Sequence, residues 1–284
     1  MFRRNGDDLI DRWDGTHLLR TLRAVDQVLP YYCQSVGTLD TPALKVTVGE
    51  DANLPVVVAA VQSTFLGDPG LLSELAARDP IIAVIDSRYP GIRQVRQFDP
   101  FAAIVRSISA QQVNLRWAAT TRQRLARTFG RRHVVGQHEV WSLDAETLAR
   151  LQIADIRALQ FTNRKAEYII GLAEAVASGR LDLSALPSLA DEEVIARLTA
   201  LRGIGVWTAE WLLARTLGRP RVVAGDLGVR KAVGLAYLGG GLPTEEEVRR
   251  LTAQWGAAAG MAQALVLHAL GEHQRPFIDR GAAP

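Results

Sequence analysis

The sequence predicts an α+β protein: a mixed α/β N-terminal domain over residues 1–92, then an all-helical body over 93–284. Two patterns predict it. Before residue 90 apolar and polar residues alternate, as in ALKVTV (43–48), which is the period of a half-buried strand. After residue 98 the period becomes helical, with Phe101, Ile104, Val105 and Ile108 at i, i+3, i+4 and i+7. Gly179, Pro187, Gly218–Pro220, Gly239–Gly241 and Pro243 then cut this region into short helices.

Each segment has its own signal. HLLRTLRAV (17–25) fits a strand or a helix, and PVVVAAVQ (55–62) an extended segment or a short helix. GLLSELAARD (70–79) reads as an amphipathic helix, and Pro-Gly in SRYPGIR (87–93) breaks the pattern, so the domain boundary falls between 88 and 100. Asp99 with Pro100 makes a helix N-terminus. A second helix runs from about Val113 to Phe129 and ends at Gly130. Its Arg116, Arg122, Arg124 and Arg127, with Arg131 and Arg132 beyond, read first as a solvated helix face. Further helices fit 144–150, 163–178, 190–201, 206–217, 227–236, 244–254 and 260–270, with no repeat or low-complexity tract.

Composition excludes several classes. The chain is 48% hydrophobic and 22% charged, ordinary for a globular protein. No apolar run approaches the roughly 18 residues of a membrane span, and MFRRNGDDLIDRW carries acids where a secretory leader needs an apolar core. A soluble, intracellular protein is expected. The single cysteine, Cys33, excludes an internal disulfide, a Cys-rich zinc site and a four-cysteine cluster, and reads as a small buried residue. The net charge is only +3, but all the basic side chains except Lys45, Lys165 and Lys231 are arginine. Arginine suits bidentate contact with phosphate and base edges; a GC-rich genome gives the same bias. The firmer consequence is that very few lysines are available to form a Schiff base.

The most informative stretch is LTALRGIGVWTAEWLLAR (198–215). An apolar helix carrying Val194, Ile195, Leu198 and Leu201 runs into Gly203-Ile204-Gly205, and a second helix starts at once with Val206 and Trp207. Two glycines around one apolar residue allow a tight turn that Ile204 plugs. The turn offers backbone N–H groups at a helix N-terminus, a natural phosphate site. Any αα-corner with a Gly-x-Gly turn is the plainer reading. Downstream, Asp226 follows Gly225 and opens an apolar helical run, where it reads as an N-cap.

Together these segments are identified as resembling the helix-hairpin-helix DNA glycosylase superfamily, and within it the bacterial 3-methyladenine DNA glycosylase II group. LRGIGVWTAEW resembles the family hairpin, and VVAGDLGVRKAV (222–233) the loop ending in the catalytic aspartate, at the right distance from Gly205. FDPFAAIVRSISAQQV (98–113) is similar to the helix that carries a Gln near the DNA. The likeness covers about 98–284, and residues 1–90 look like the group's extra α/β domain. It implies two helical lobes, roughly 103–218 and 93–102 plus 219–284, with the hairpin at 198–215, the catalytic loop at 220–228 and the active site in the cleft between lobes.

The resemblance implies excision of an alkylated purine from double-stranded DNA by base flipping, with Asp226 catalytic. Cleaving an N-glycosidic bond leaves positive charge on the sugar, and a carboxylate beside C1′ stabilises it; capping would also fix that carboxylate. Gly203, Ile204, Gly205 and Thr208 are expected at the DNA, and Gln111 or Gln112 either fills the gap left by the flipped base or takes a helix-capping or solvent role. Trp207 and Trp211, four apart, either pack in the core or stack on the base, where an electron-rich ring holds a cationic purine. Bifunctional members place a lysine two residues after the second hairpin glycine; here that residue is Trp207, so simple hydrolysis is implied. No cofactor and no catalytic metal are implied. A monovalent cation at the carbonyls of Leu201 and Ile204, a monomeric state and a cytoplasmic, nucleoid-associated location are.

One stretch departs from the family. Where relatives follow a tryptophan with proline, an aromatic and an arginine, this chain reads Trp255-Gly256-Ala257-Ala258-Ala259. Ala258 stands at the pocket-wall aromatic and Ala259 at the arginine, which predicts a wider pocket. His268, in an apolar helix, reads as structural. The rival functions are a hairpin protein that binds DNA without catalysis and a glycosylase for another damaged base.

Overall fold

The structure, a computed structural model, describes residues 6–24, 27–38 and 40–273. Val25 in the 17–25 segment, and both chain ends, lie outside the described residues. Strands β1 (Arg12–Trp13), β2 (His17–Arg23), β3 (Val28–Ser35) and β4 (Leu44–Val48) come first, then helix α1 (Leu54–Gln62). Strand β5 (Phe65–Leu66), helices α2 (Pro69–Arg78) and α3 (Pro80–Arg88) and strand β6 (Gln94–Val95) follow. Helices α4 (Pro100–Ala110) and α5 (Leu115–Phe129) lead into strands β7 (Arg131–Val135) and β8 (His138–Ser142). The rest is helical: α6 (Ala145–Leu148), α7 (Ile153–Ala158), α8 (Asn163–Ala177), α9 (Asp191–Thr199), α10 (Val206–Arg215), α11 (Leu227–Tyr237), α12 (Glu245–Thr252) and α13 (Ala259–His273).

The α+β class holds, and the helical periods of 98–270 mark real helices. One segment departs from the all-helical reading. Residues 131–142 form an antiparallel hairpin, with Val135 opposite His138 and the chain reversing at Gly136, whose φ is +59°. RRHVV and HEVWS are too short for a helical period to stand out, and Gly136 supplies the left-handed turn. HLLRTLR proves to be a strand and PVVVAAVQ a helix.

The chain forms two compact units, Met1–Thr64 with Gln97–Leu217 and Phe65–Arg96 with Gly218–Pro284. The boundary at 92/93 follows a change of periodicity; the compact units cut the chain elsewhere, because α2 packs on 253–258 and α3 on α13. The short β5–β6 pair, Phe65 opposite Val95, closes that excursion.

In the first unit the sheet runs β1-β2-β3-β4, antiparallel throughout, with Leu18 opposite Cys33 and Cys33 opposite Val46. Leu18, Leu29, Tyr31 and Cys33 pack with Val57 and Val61 of α1. Cys33 is a core residue, 3% exposed, and this burial pushes its thiol up to about 11. β2 lies beside β8, and β3 beside β7. A larger core is built from Phe101, Ile104, Val105 and Ile108 of α4 with apolar residues of α5 to α10. The arginines of α5 divide. Arg116 and Arg127 are exposed, whereas Arg122 is buried against Asp8 at 3.0 Å and Ser109 at 2.7 Å. Burial opposes charge on Asp8, but Arg106 and Arg122 outweigh it and hold its carboxyl below the usual range.

In the second unit, Asp79 Oδ1 caps α3 through Ile81 and Ile82, and its Oδ2 accepts from Tyr237 at 2.6 Å and Gln254 at 3.1 Å. Trp255, fully buried, donates to Tyr237 Oη at 2.8 Å. His268 packs edge-on to Tyr89. Among the described residues no helix is long and apolar enough to cross a membrane.

Candidate active site

In the first unit the hairpin is built from α9, a turn and α10. Asp191, Glu192 and Glu193 open α9 and Arg197 closes it, as the helix dipole favours. Val194 and Leu198 are its buried face. The chain turns at Gly203, whose φ is +87°; a Cβ there would stand 2.1 Å from the Tyr168 ring. Both backbone conformation and the close ring require glycine. Ile204 is 4% exposed and joins the main core, so it plugs the turn as its position suggests. Gly205 differs from Gly203: it is extended at φ −99°, exposed, and a Cβ there meets nothing within 4 Å. It is the N-cap of α10, with no side-chain cap, and its carbonyl starts the helix by accepting from Thr208 at 3.0 Å and Ala209 at 3.2 Å. The first N–H groups of a helix have no intrahelical acceptor, which makes this end suited to an anion.

Sequence reasoning missed what anchors the turn. Gln111, the C-cap of α4, donates from Nε2 to Gly203 O at 2.9 Å. Two residues earlier, Ser109 O accepts from buried Lys165 Nζ at 2.8 Å. Desolvation holds that lysine below its ordinary pKa. A buried lysine and a cap glutamine look like surface residues in a sequence, so nothing there marks them as partners. Gln111 is therefore a tether of the turn, and Gln112 is the exposed glutamine, in the left-handed region at φ +54°.

Trp207 and Trp211 are half-buried on α10. The Arg215 guanidinium lies over the Trp211 ring at 5.5 Å. Thr208, expected at the DNA, is 2% exposed and its N–H donates to Gly205 O, since its side of α10 faces the core. Leu201 O accepts the Ile204 N–H at 3.1 Å, so a cation at the Leu201 and Ile204 carbonyls would share that oxygen.

In the second unit, residues 218–226 form the loop that carries the aspartate. Val223 and Ala224 are fully buried, and Val223 N–H donates to Oε1 of Gln263 at 2.7 Å. Gln263 is 1% exposed on the buried face of α13, a polar group placed for this loop. Asp226 N–H donates to Val223 O at 3.0 Å. Its Oδ1 then accepts from Val229 N–H at 2.9 Å, capping α11, and its carbonyl accepts from Arg230 at 2.8 Å. The carboxyl group is half-buried and fixed at a helix N-terminus. Gly228 leaves it room: a Cβ there would lie 3.0 Å from Oδ1.

The alanines at 257–259 need a correction. Ala258 is 2% and Ala259 5% exposed, and only Ala257 is exposed. Ala258 is therefore buried, as Trp255 is, rather than exposed at an open wall.

Residues 105–258 match the family described as HhH-GPD superfamily base excision DNA repair protein. A DNA-3-methyladenine glycosylase of Bacillus subtilis is 29% identical over 184 residues, 64% of this chain and 61% of that protein. The matched stretch thus spans about three-fifths of such curated relatives. Among solved structures, a 3-methyladenine DNA glycosylase of Archaeoglobus fulgidus superposes with a TM-score of 0.83 at 21% identity, over 94% of this chain and 91% of that one. An 8-oxoguanine glycosylase/lyase of Clostridium acetobutylicum gives 0.72 at 17% identity, over 96% and 94%. These two likenesses are of fold.

Proposed function

Because the chain belongs to the HhH-GPD superfamily of base excision DNA repair proteins, we propose that it is a monofunctional DNA glycosylase. Its substrate is an alkylated purine of the 3-methyladenine type in double-stranded DNA, and its product is an abasic site. The observation that carries this reading is Asp226, a half-buried carboxyl group fixed by Val229 N–H at 2.9 Å, downstream of a hairpin whose glycines present backbone at a helix N-terminus.

The roles follow from the chemistry of each group. The N–H groups at the start of α10 take a DNA phosphate, and Gly205 leaves the approach clear of side chains. The target nucleotide is flipped out, with Gln112 filling the gap in the duplex. The base stacks against Trp207 and Trp211, for which Arg215 must leave the Trp211 face it covers. The carboxylate of Asp226 stabilises the positive charge that builds on the sugar as the glycosidic bond breaks. Water adds to C1′, the bonding electrons leave with the base, and the proton of the water goes to solvent. A cationic N3- or N7-alkylated purine departs as a neutral base without a general acid, so it should be released much faster than hypoxanthine.

Hydrolysis, rather than lyase chemistry, is favoured by the lysines. Trp207 occupies the position after the hairpin where a Schiff-base lysine would stand, and Lys165 is buried against Ser109 O. The protein acts as a monomer, in the cytoplasm and at the nucleoid. The test is incubation with a duplex containing 3-methyladenine. The expected product is intact DNA with an abasic site that breaks only after alkali or heat. A covalent protein–DNA adduct trapped by borohydride would contradict hydrolysis. Tight DNA binding with no base release would make the chain a hairpin binder without catalysis.

A further inference from the structure

Three side chains that the proposed chemistry does not use converge where the β1–β2 turn meets the β7–β8 hairpin: Asp14, His17 and His138. Their ligand-capable atoms all lie within 4.8 Å of one another. Asp14 Oδ1 accepts the backbone N–H groups of Thr16 and His17 at 2.8 and 2.7 Å, which fixes the carboxyl group. Oδ2 then faces both imidazoles, 3.1 Å from His17 Nδ1 and 3.8 Å from His138 Nδ1. The two rings are 4.6 Å apart, and Tyr32 packs edge-on against them at 5.2 and 4.9 Å. This third ring holds the pair in place. The three candidate ligands are 22–38% exposed, so an ion can reach them.

The plainer reading is a surface ion pair, worth about 0–1 kcal/mol. An ion pair needs one histidine, however, and here a second arrives from a strand far along the chain. The spacing also has a specific meaning. Ligands held about 2.0–2.1 Å from a tetrahedral zinc ion stand about 3.4 Å apart. The observed 3.1 and 3.8 Å bracket that value. Two imidazoles with one carboxylate suit a late first-row divalent ion and not magnesium or calcium, which want oxygen ligands.

We propose that Asp14, His17 and His138 form a three-ligand site for a divalent cation of the zinc type, with water completing the coordination. The ion joins β2 of the N-terminal sheet to β8 of the hairpin, so its effect is to hold these two strands together. It takes no part in base excision.

The test titrates Zn2+ into the chain of residues 1–284 by calorimetry and follows thermal unfolding with Zn2+ or with a chelator. One Zn2+ should bind per chain, and unfolding should move to higher temperature as binding to the native state requires. H17Q and H138Q should each lower Zn2+ affinity by about tenfold or more. The double variant should lose the stoichiometric site while keeping its circular dichroism and its DNA binding. Absence of stoichiometric Zn2+ binding to the wild type would overturn the proposal. So would a folded double variant that binds Zn2+ as tightly as the wild type.

Discussion

The hairpin turn and the Asp226 loop are both short, glycine-containing connections into a helix N-terminus, yet they are held differently. The hairpin is fixed mainly by shape, with the Gln111 hydrogen bond to Gly203 O as a tether: Gly203 sits where any Cβ would strike Tyr168, and Ile204 fills the space beneath. The Asp226 loop is fixed by hydrogen bonds, from Val223 to Gln263 and from Val229 to Asp226 itself. The difference fits the two tasks proposed. A surface that offers backbone N–H groups to a phosphate must be free of side chains. A loop that delivers one carboxylate must hold that side chain still.

The comparison breaks most visibly at the two hairpin glycines. Gly203→Val combines a left-handed backbone with a clash on Tyr168, and should destabilise the protein by about 3–5 kcal/mol in urea unfolding. Gly205→Ala should cost less than about 1 kcal/mol, since nothing crowds that position. Equal losses at the two sites would contradict the steric account. Gly205→Leu should keep the fold but weaken binding to all DNA sequences alike, with affinity falling steeply with salt.

The loop should answer to hydrogen bonding instead. Gln263→Leu leaves the buried Val223 N–H without its acceptor and should cost about 1–3 kcal/mol. Because the loop carries Asp226, single-turnover excision should fall in this variant while DNA affinity stays near wild type. The reverse pattern would mean that Gln263 supports the fold alone. A smaller effect than at Gln263 is expected at the tether. Gln111→Leu removes one hydrogen bond to Gly203 O, worth about 1 kcal/mol, and should lower DNA affinity more than it lowers the rate of excision from bound DNA.

What the sequence made legible follows from the range of the interactions. Helix period depends on neighbours three and four apart, so α4, α5 and α8 to α13 could be read from 98–270. The hairpin and Asp226 were legible because Gly-x-Gly and an N-capping Asp act locally. Residues 131–142 were missed because five-residue strands carry too little period against a helical background. Residues 65–92 were assigned with the N-terminal domain because nothing local shows that α2 and α3 pack beside residues after Gly218. Gln111, Lys165, Tyr168 and Gln263 matter through contacts 35 to 92 residues away in sequence, which no pattern in one chain reveals. Ala258 was read as a gap in a pocket because a missing side chain in a sequence does not tell whether core or solvent fills its place.

The central claim is that the capped carboxylate of Asp226 drives hydrolysis, and it is tested most directly by single-turnover release of 3-methyladenine from a duplex, wild type against Asp226→Asn. Asparagine keeps an oxygen to cap α11, so folding and DNA affinity should hold. The rate of base release should fall by about a hundredfold or more, as for other groups that stabilise transition-state charge. A folded Asp226→Asn protein that releases the base at the wild-type rate would contradict the account.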